Sequence, residues 1–541
     1  MRSLIMLLLA LAILAGCKRK HGPTGRSSSE RAAATDARGE HPGPNKSLGT
    51  FTIGKSTTYI TGPVDATGHI DYAAALNERL SKGVTPENNA NVLFWKALGP
   101  NPLGPAANPP GLFEALKMSE PPAGGDYFVR MEKYAATQLA SGLGTPDAAQ
   151  ETLTRLMKQP WTAKQNPGVA SWLRANEKPL ALVIEGTKRT HYYSPLLPGR
   201  TAIGPSSLIN SLLPGAQMAR ELAGAITVRA MLRVGEGQVE DAWQDLLACH
   251  RLGRVVGKGG TLIEGLVGFA IEQIACRGDV VFLAHTQPDA KQIAGYLRDL
   301  AALPPLPSVV DKVDLTDRFT MLQHIMLIDR GGIDYLNSLG GGGGNRQEGG
   351  FFAGFVLNGI NWDPGLENAN RWFDRIVAAL RETSRSDRKR QFDTFVTDIR
   401  AMKDIATDKT RLARMLAEGR DPGKAKGEVI GDILITLLLP AVDKVQDASD
   451  RTAQVFENVA IAFALAWYAR DNGNYPPTLE SLAKYLGRAP VDIFTGKMPI
   501  YKPTAHGYRL YSVGPNGQDD GGLTAEEKRG CDDIVVRMPP R

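Results

Sequence analysis

From Ala216 to about Ala301, apolar residues recur at helical spacing through successive segments parted by short glycine turns, and this constrains the fold most. Ala219, Leu222, Ala223, Ile226 and Ala230 form one stripe. After Gly235-Glu-Gly237 the period returns in Val239, Ala242, Trp243, Leu246, Leu247 and His250. Beyond Gly257-Lys-Gly-Gly260, the run from Leu262 to Cys276 is apolar nearly all round, as in a helix buried on every side. Segments joined by such short turns must pack on one another, so the chain is predicted to be mainly α. Leu246 and Leu247 are core candidates. His250, on their stripe, reads as a packed, hydrogen-bonded core histidine.

The first twenty residues carry a different kind of information. Arg2 precedes an apolar run from Leu4 to Leu14, and Leu14-Ala-Gly-Cys17 follows at once. A bilayer span needs about 20 apolar residues, so this run is too short for one. The layout resembles a bacterial lipoprotein signal with its lipobox, which implies that Cys17 is acylated and becomes the first mature residue. Lys18 follows it in place of the aspartate that retains some lipoproteins in the inner membrane, so the outer membrane is favoured. Residues 17–48, rich in Ser, Gly, Pro and Arg without apolar period, read as a disordered tether. Its basic residues suit anionic headgroups.

With 541 residues, two to four domains are expected. The formal charge of +6 is mild for this length, and much of it lies in the tether, so nucleic acid is not an expected partner. Of the four cysteines, Cys249, Cys276 and Cys531 remain beside Cys17. In a simple hairpin Cys249 and Cys276 would be offset by about 16 Å along the helix axes, which is beyond disulfide reach. Buried free thiols are therefore expected.

Elsewhere, residues 51–61 are rich in β-branched side chains and read as a strand or extended segment, and Leu180 to Glu185 reads as a strand. Ile70 to Leu80 reads as an amphipathic helix. Thr85-Pro86 and Thr145-Pro146 look like helix starts, with threonine as cap and proline in the first turn. Residues 99–125 read as a long loop, 366–418 as two charged helices and 428–470 as one long helix. Gly340 to Gly344 should be a flexible loop. The helix–turn–helix units of 216–301 loosely resemble tetratricopeptide-type hairpins.

Gly49-Thr-Phe-Thr-Ile-Gly54-Lys55-Ser56 matches the phosphate-loop pattern letter for letter, but nothing around it supplies the required strand before and helix after. No zinc-helix, nucleophile-elbow or paired-cysteine motif occurs. Carboxylate pairs such as Glu240-Asp241 identify no chemistry by themselves.

The C-terminal order is more specific. A long helix from Ala448 to Arg470 is followed by Asn472-Gly-Asn-Tyr-Pro-Pro-Thr478, a short helix to Leu486, and Asp492-Ile-Phe-Thr-Gly496. Then come Tyr508 to Gly522, containing Gly-Pro-Asn-Gly-Gln-Asp-Asp-Gly-Gly, and Asp532-Asp533-Ile534-Val535. This order resembles the globular end of type II secretion major pseudopilins. The resemblance implies a calcium-binding loop, and Asp519, Asp520, Asp532 and Asp533 are the candidate ligands, hard oxygens in a glycine-rich loop. The helix is internal, with more than 400 residues before it and a lipobox in place of a prepilin cleavage site. The segment therefore reads as a borrowed C-terminal module.

The expected organisation is a signal peptide (1–16), a tether (17–48), a mixed N-terminal region (49–214), a helical platform (215–425) and a pseudopilin-like helix with its module (426–541). The fold class is mainly α with a small α+β C-terminal module. The expected role is a non-enzymatic scaffold or interaction lipoprotein of the cell envelope, held to the membrane by lipid and contacting other envelope proteins. The alternative is an exported hydrolase whose site is assembled from distant residues, with His191 as one candidate member.

Overall fold

The computed structural model describes residues 49–104, 108–137, 143–198, 207–208, 211, 213–339, 358–406, 408, 410–438, 442–504 and 506–540. Cys17 and its tether, the glycine run at 340–344 and Pro440 lie outside these residues. Within them the chain is mainly helical, with a three-stranded antiparallel sheet near the C-terminus.

The first strand, β1 (Gly49–Thr50), pairs in parallel with β2 (Ile360–Asn361). Residues 51–61, expected as a strand or extended segment, form no strand. Thr57 and Thr58 turn their hydroxyls onto the carbonyls of Thr52, Gly54 and Ile60 and so hold a compact turn in place of a ladder. Next come α1 (Tyr72–Leu80), α2 (Ala90–Leu98), α3 (Leu112–Ala115), α4 (Met131–Thr137), α5 (Pro146–Leu156), α6 (Pro167–Ala175) and α7 (Glu177–Thr187). Thr145 caps α5 as expected. By contrast α2 is capped by Asn89, because Thr85 and Asn88 bond each other in a preceding turn. The expected strand at 180–185 lies inside α7. Leu180, Val183 and Gly186 face inward at helical spacing, and a six-residue apolar run cannot by itself separate the two periods.

The central helices are α8 (Pro214–Gly235), α9 (Val239–Val256), α10 (Leu262–His285) and α11 (Ala290–Ala301). Capping boxes start two of them, Thr261 with Glu264 and Asp289 with Gln292. Helices α8, α9 and α10 each touch the other two. Glycines bring α9 and α10 close together: a Cβ on Gly268 would stand 2.6 Å from the Gly253 carbonyl oxygen.

A π-helical turn (Lys312–Asp317) leads into α12 (Arg318–Leu339). The region expected as two helices holds three: α13 (Asp363–Arg381), α14 (Arg385–Ala406) and α15 (Arg411–Ala417). Asp408 accepts from the Thr410 amide and hydroxyl, an Asx turn that separates the last two. The single helix expected over 428–470 is two elements, α16 (Pro422–Leu438) and α17 (Val442–Asn472). A 3₁₀ turn (Leu479–Leu482), α18 (Ala483–Leu486), β3 (Ile500–Thr504), β4 (Gly507–Ser512) and β5 (Ile534–Met538) complete the chain, with strand order β3-β4-β5.

Two large apolar cores result, and α10 belongs to both. Leu262, Leu266 and Phe269 join a core shared with α1, α12, α13 and α16. Ile271 to Leu283 join the other, built from α2, α5 to α9, α11 and the middle of α17. At its centre Trp243 lies against Phe282, Tyr296 and Phe463, with ring centroids 5.6, 4.5 and 5.6 Å away. Its indole N–H donates to Asp299 at 2.8 Å. The long C-terminal helix is thus packed into the helical bundle rather than standing free.

Candidate functional site

The C-terminal module is the sheet β3-β4-β5 covered by α17, with the loop 513–533 closing one end. Arg451 of α17 reaches this loop, donating to the Asp532 carbonyl at 3.1 Å and standing 3.8 Å from its carboxylate. Gly514, at φ +66°, passes so close to Asp532 that a side chain there would collide with its main-chain oxygen.

The four aspartates expected as ligands all lie in this loop, each with its own partners. Asp519 is exposed and accepts from the Tyr511 hydroxyl at 3.0 Å and the Gly521 amide at 2.8 Å. Asp520 accepts from Asn516 Nδ2 at 3.1 Å and the Asp532 amide at 3.0 Å, and the Asn516 bond leads the effects that hold its carboxyl below the ordinary range. Asp533 is buried and accepts from the amides of Gly522 and Asp520, at 2.6 and 3.4 Å. Burial pushes the carboxyl groups of Asp532 and Asp533 upward. Asp532 Oδ2 accepts from the Asn516 amide at 3.2 Å, while Asp532 Oδ1 is buried without a hydrogen-bond partner. Among the described residues, no three of these carboxylates bring an oxygen each within 4.8 Å of one another. The loop is therefore drawn together chiefly by carboxylates accepting main-chain N–H groups, leaving one free oxygen on Asp532.

A second cluster lies wholly buried between α9 and α10. His250 sits with Nδ1 3.0 Å from Glu272 Oε1 and Nε2 2.8 Å from Asp279 Oδ2. Arg254, one turn along α9, donates to Glu272 Oε1 at 2.8 Å and lies over the Phe456 ring of α17, 4.7 Å from its centroid. Burial alone would lower the His250 pKa, but the two carboxylates raise it to about 10. His250 is the packed core histidine expected from its stripe, although sequence reasoning did not supply its acidic partners. Cys249 and Cys276 are buried free thiols, as expected, and Cys531 is likewise free and buried.

The remaining sequence candidates are dispersed. His191 is exposed, with Thr190 Oγ1 2.8 Å from its Nδ1. Glu240 accepts from the Gln244 side chain at 3.1 Å on the exposed side of α9. Gly54 starts the turn of residues 54–60 and opens no helix. A surface cavity of about 550 Å³ between α2 and the following loop is lined by Glu87, Lys96, Tyr127 and Arg189, without His191.

The C-terminal part is 31% identical to the type II secretion system core protein G of Escherichia coli strain K12 over an alignment of 109 residues that covers 17% of this chain and 75% of that protein. In that part the chain belongs to the core protein G family. The helix–sheet–loop module just described is thus pseudopilin-like in sequence. No protein-family model matches the chain, and no solved structure matches it. No helix among the described residues is long and apolar enough to cross a membrane.

Proposed function

We propose that this protein is an envelope-anchored lipoprotein that acts as a non-enzymatic scaffold, offering its pseudopilin-like module to other envelope or secretion proteins. The kinship with a secretion-system core protein carries this reading. The setting of the module supports it, because α17 runs from the sheet into the helical bundle and couples the two through the Trp243 core. Cys17 would hold the lipid and residues 18–48 the slack of the tether, with the outer membrane favoured. The helical region of 215–425, with the helix–turn–helix units of 216–301, would serve as the platform.

Labelled fatty acid tests the anchor: it should enter the wild-type chain and not Cys17→Ser, which should accumulate as unprocessed precursor. Photo-crosslinkers at exposed module positions such as Asn516 and Lys502 test the role. Specific crosslinks to one envelope protein in intact cells are expected. Crosslinks absent from the module but present elsewhere on the surface would overturn it.

Calcium belongs to the same reading. The free Oδ1 of Asp532 is the oxygen a cation would take, with Asp519, Asp520 and Asp533 the remaining candidates. Asp519 and Asp520 would have to turn from their present donors towards it.

A further inference from the structure

Along α10, Glu272, Cys276 and Asp279 fall at positions i, i+4 and i+7, so all three project from one face of the helix. That face meets His250 of α9. One nitrogen of His250, one carboxylate oxygen of Glu272 and the Cys276 sulfur all lie within 4.8 Å of one another, and all three residues are buried. We propose that His250, Glu272 and Cys276 form a buried structural site for a divalent transition metal, zinc foremost.

The donor set argues for the class of ion. Imidazole, thiolate and a single carboxylate suit zinc and its neighbours, whereas calcium and magnesium demand oxygen ligands throughout. Zinc ligands about 2.0–2.3 Å from the ion in a tetrahedron stand roughly 3.3–3.8 Å apart. The present separations, from 3.0 Å between His250 Nδ1 and Glu272 Oε1 up to the 4.8 Å bound, bracket that figure. Movements of about an ångström or less would close the shell.

The surroundings match what a metal-binding histidine requires. The second nitrogen of such a histidine usually donates to a carboxylate, which fixes the ring and raises its basicity. Here Asp279 Oδ2 stands 2.8 Å from Nε2, and the Asp279 Oδ1 atom is buried with no hydrogen-bond partner. Asp279 thus stands behind the ring and orients it, outside the three-residue group that would face the ion. Arg254 of α9 also holds Glu272, donating to both of its carboxylate oxygens.

Charge balance also permits the exchange. Without an ion, the imidazolium of His250 and the guanidinium of Arg254 offset the two carboxylates, and the thiol is neutral. When a dication enters, the Nδ1 proton of His250 and the thiol proton of Cys276 leave to solvent. Two positive charges replace two protons, so the buried cluster keeps its net charge. A site this deep would fill as the chain folds.

Metal analysis of the full chain, folded in the presence of zinc and then exhaustively dialysed, tests the assignment. About one equivalent of zinc is expected in the wild type. Cobalt in its place should give a thiolate-to-cobalt charge-transfer band, which reports sulfur ligation directly. Cys276→Ser, which keeps the size of the side chain, should lose the band and at least tenfold in zinc affinity while retaining its helical circular dichroism. Cys249→Ser removes the neighbouring buried thiol and should keep both band and zinc. Substoichiometric zinc and no cobalt band in the wild type would overturn the proposal, as would a band that survives in Cys276→Ser. Should Cys276→Ser fail to fold, the wild-type cobalt spectrum together with Cys249→Ser and Cys531→Ser still decides: a band present in all three supports the site, and a band lost in Cys249→Ser or Cys531→Ser places the sulfur ligand elsewhere.

Discussion

Asn458, buried midway along α17, donates its side-chain N–H to the main-chain oxygen of Ile534 in β5 at 2.8 Å. Its own side-chain oxygen accepts from Gln454, and Gln454 in turn accepts from the Ile493 amide at 2.7 Å. These polar groups fasten the long helix to the sheet and to the 490s loop, so the module and its helix should behave as one unit.

Asn458→Leu keeps nearly the same volume but strands the Ile534 carbonyl and the Gln454 amide group. Each buried unpaired group costs about 1–3 kcal/mol. A fall in the denaturation midpoint of the full chain should measure the loss. No change would show that water replaces the lost partner.

Leu246 is fully buried on α9, whereas Gln244 is exposed and bonds only Glu240 among the described residues. Leu246→Ala should cost about 2–5 kcal/mol as a large-to-small core change. Gln244→Ala should cost under about 0.5 kcal/mol. Chemical denaturation of the two variants side by side separates these expectations.

Lys312 is buried on the π-helical turn, with its ammonium donating to the Gly259 carbonyl and Glu264, Asp311 and Asp317 around it. Burial lowers its pKa from 10.5 to about 8, with those carboxylates pulling the other way. Between pH 8 and 10.5 the unfolded chain keeps this proton while the folded chain has lost it. Stability contributed through Lys312 therefore rises with pH across that window, by an amount on the order of 3 kcal/mol. Urea denaturation at pH 7.5 and 10 should show the rise relative to Lys312→Met, in which this component is gone. Identical pH dependence in the two proteins would refute the assignment.

Calcium should raise the melting temperature of the full chain more than magnesium does. Binding to the folded form alone adds about 2.7 kcal/mol at a hundredfold excess over Kd. The pair Asp519→Ala and Asp532→Ala should erase the difference. A wild-type melting curve that is the same in calcium and in chelator would leave the loop held by its protein donors alone.

How far the sequence could be read depended on the range of the interaction. The helices of 216–301 were legible because their apolar period and the glycine turns at 235–237 and 257–260 are all local; the Thr261–Glu264 and Asp289–Gln292 boxes, equally local, went unread. The six residues at 180–185 were misread because their burial comes from a partner helix, with Gly186 against Phe94, which no short window contains. The partners of His250 stand 22 and 29 residues further on, brought back by the antiparallel return of α10 along α9. The spacing of Glu272, Cys276 and Asp279 was visible in the sequence, but nothing local said that His250 faces it. In the acidic loop the four aspartates were readable, whereas their backbone donors depend on a path set by glycines at positive φ.

The inward packing of α17 has a consequence for assembly. Its apolar stretch from Val459 to Leu465 is covered by α9, α10 and α11 of the same molecule. A filament made by laying this helix against copies of itself would first require each subunit to pull the helix out of its own bundle. Growth by that route would therefore carry the barrier of partial unfolding at every added subunit. Contacts that leave the fold intact would have to use surfaces other than this stretch of α17.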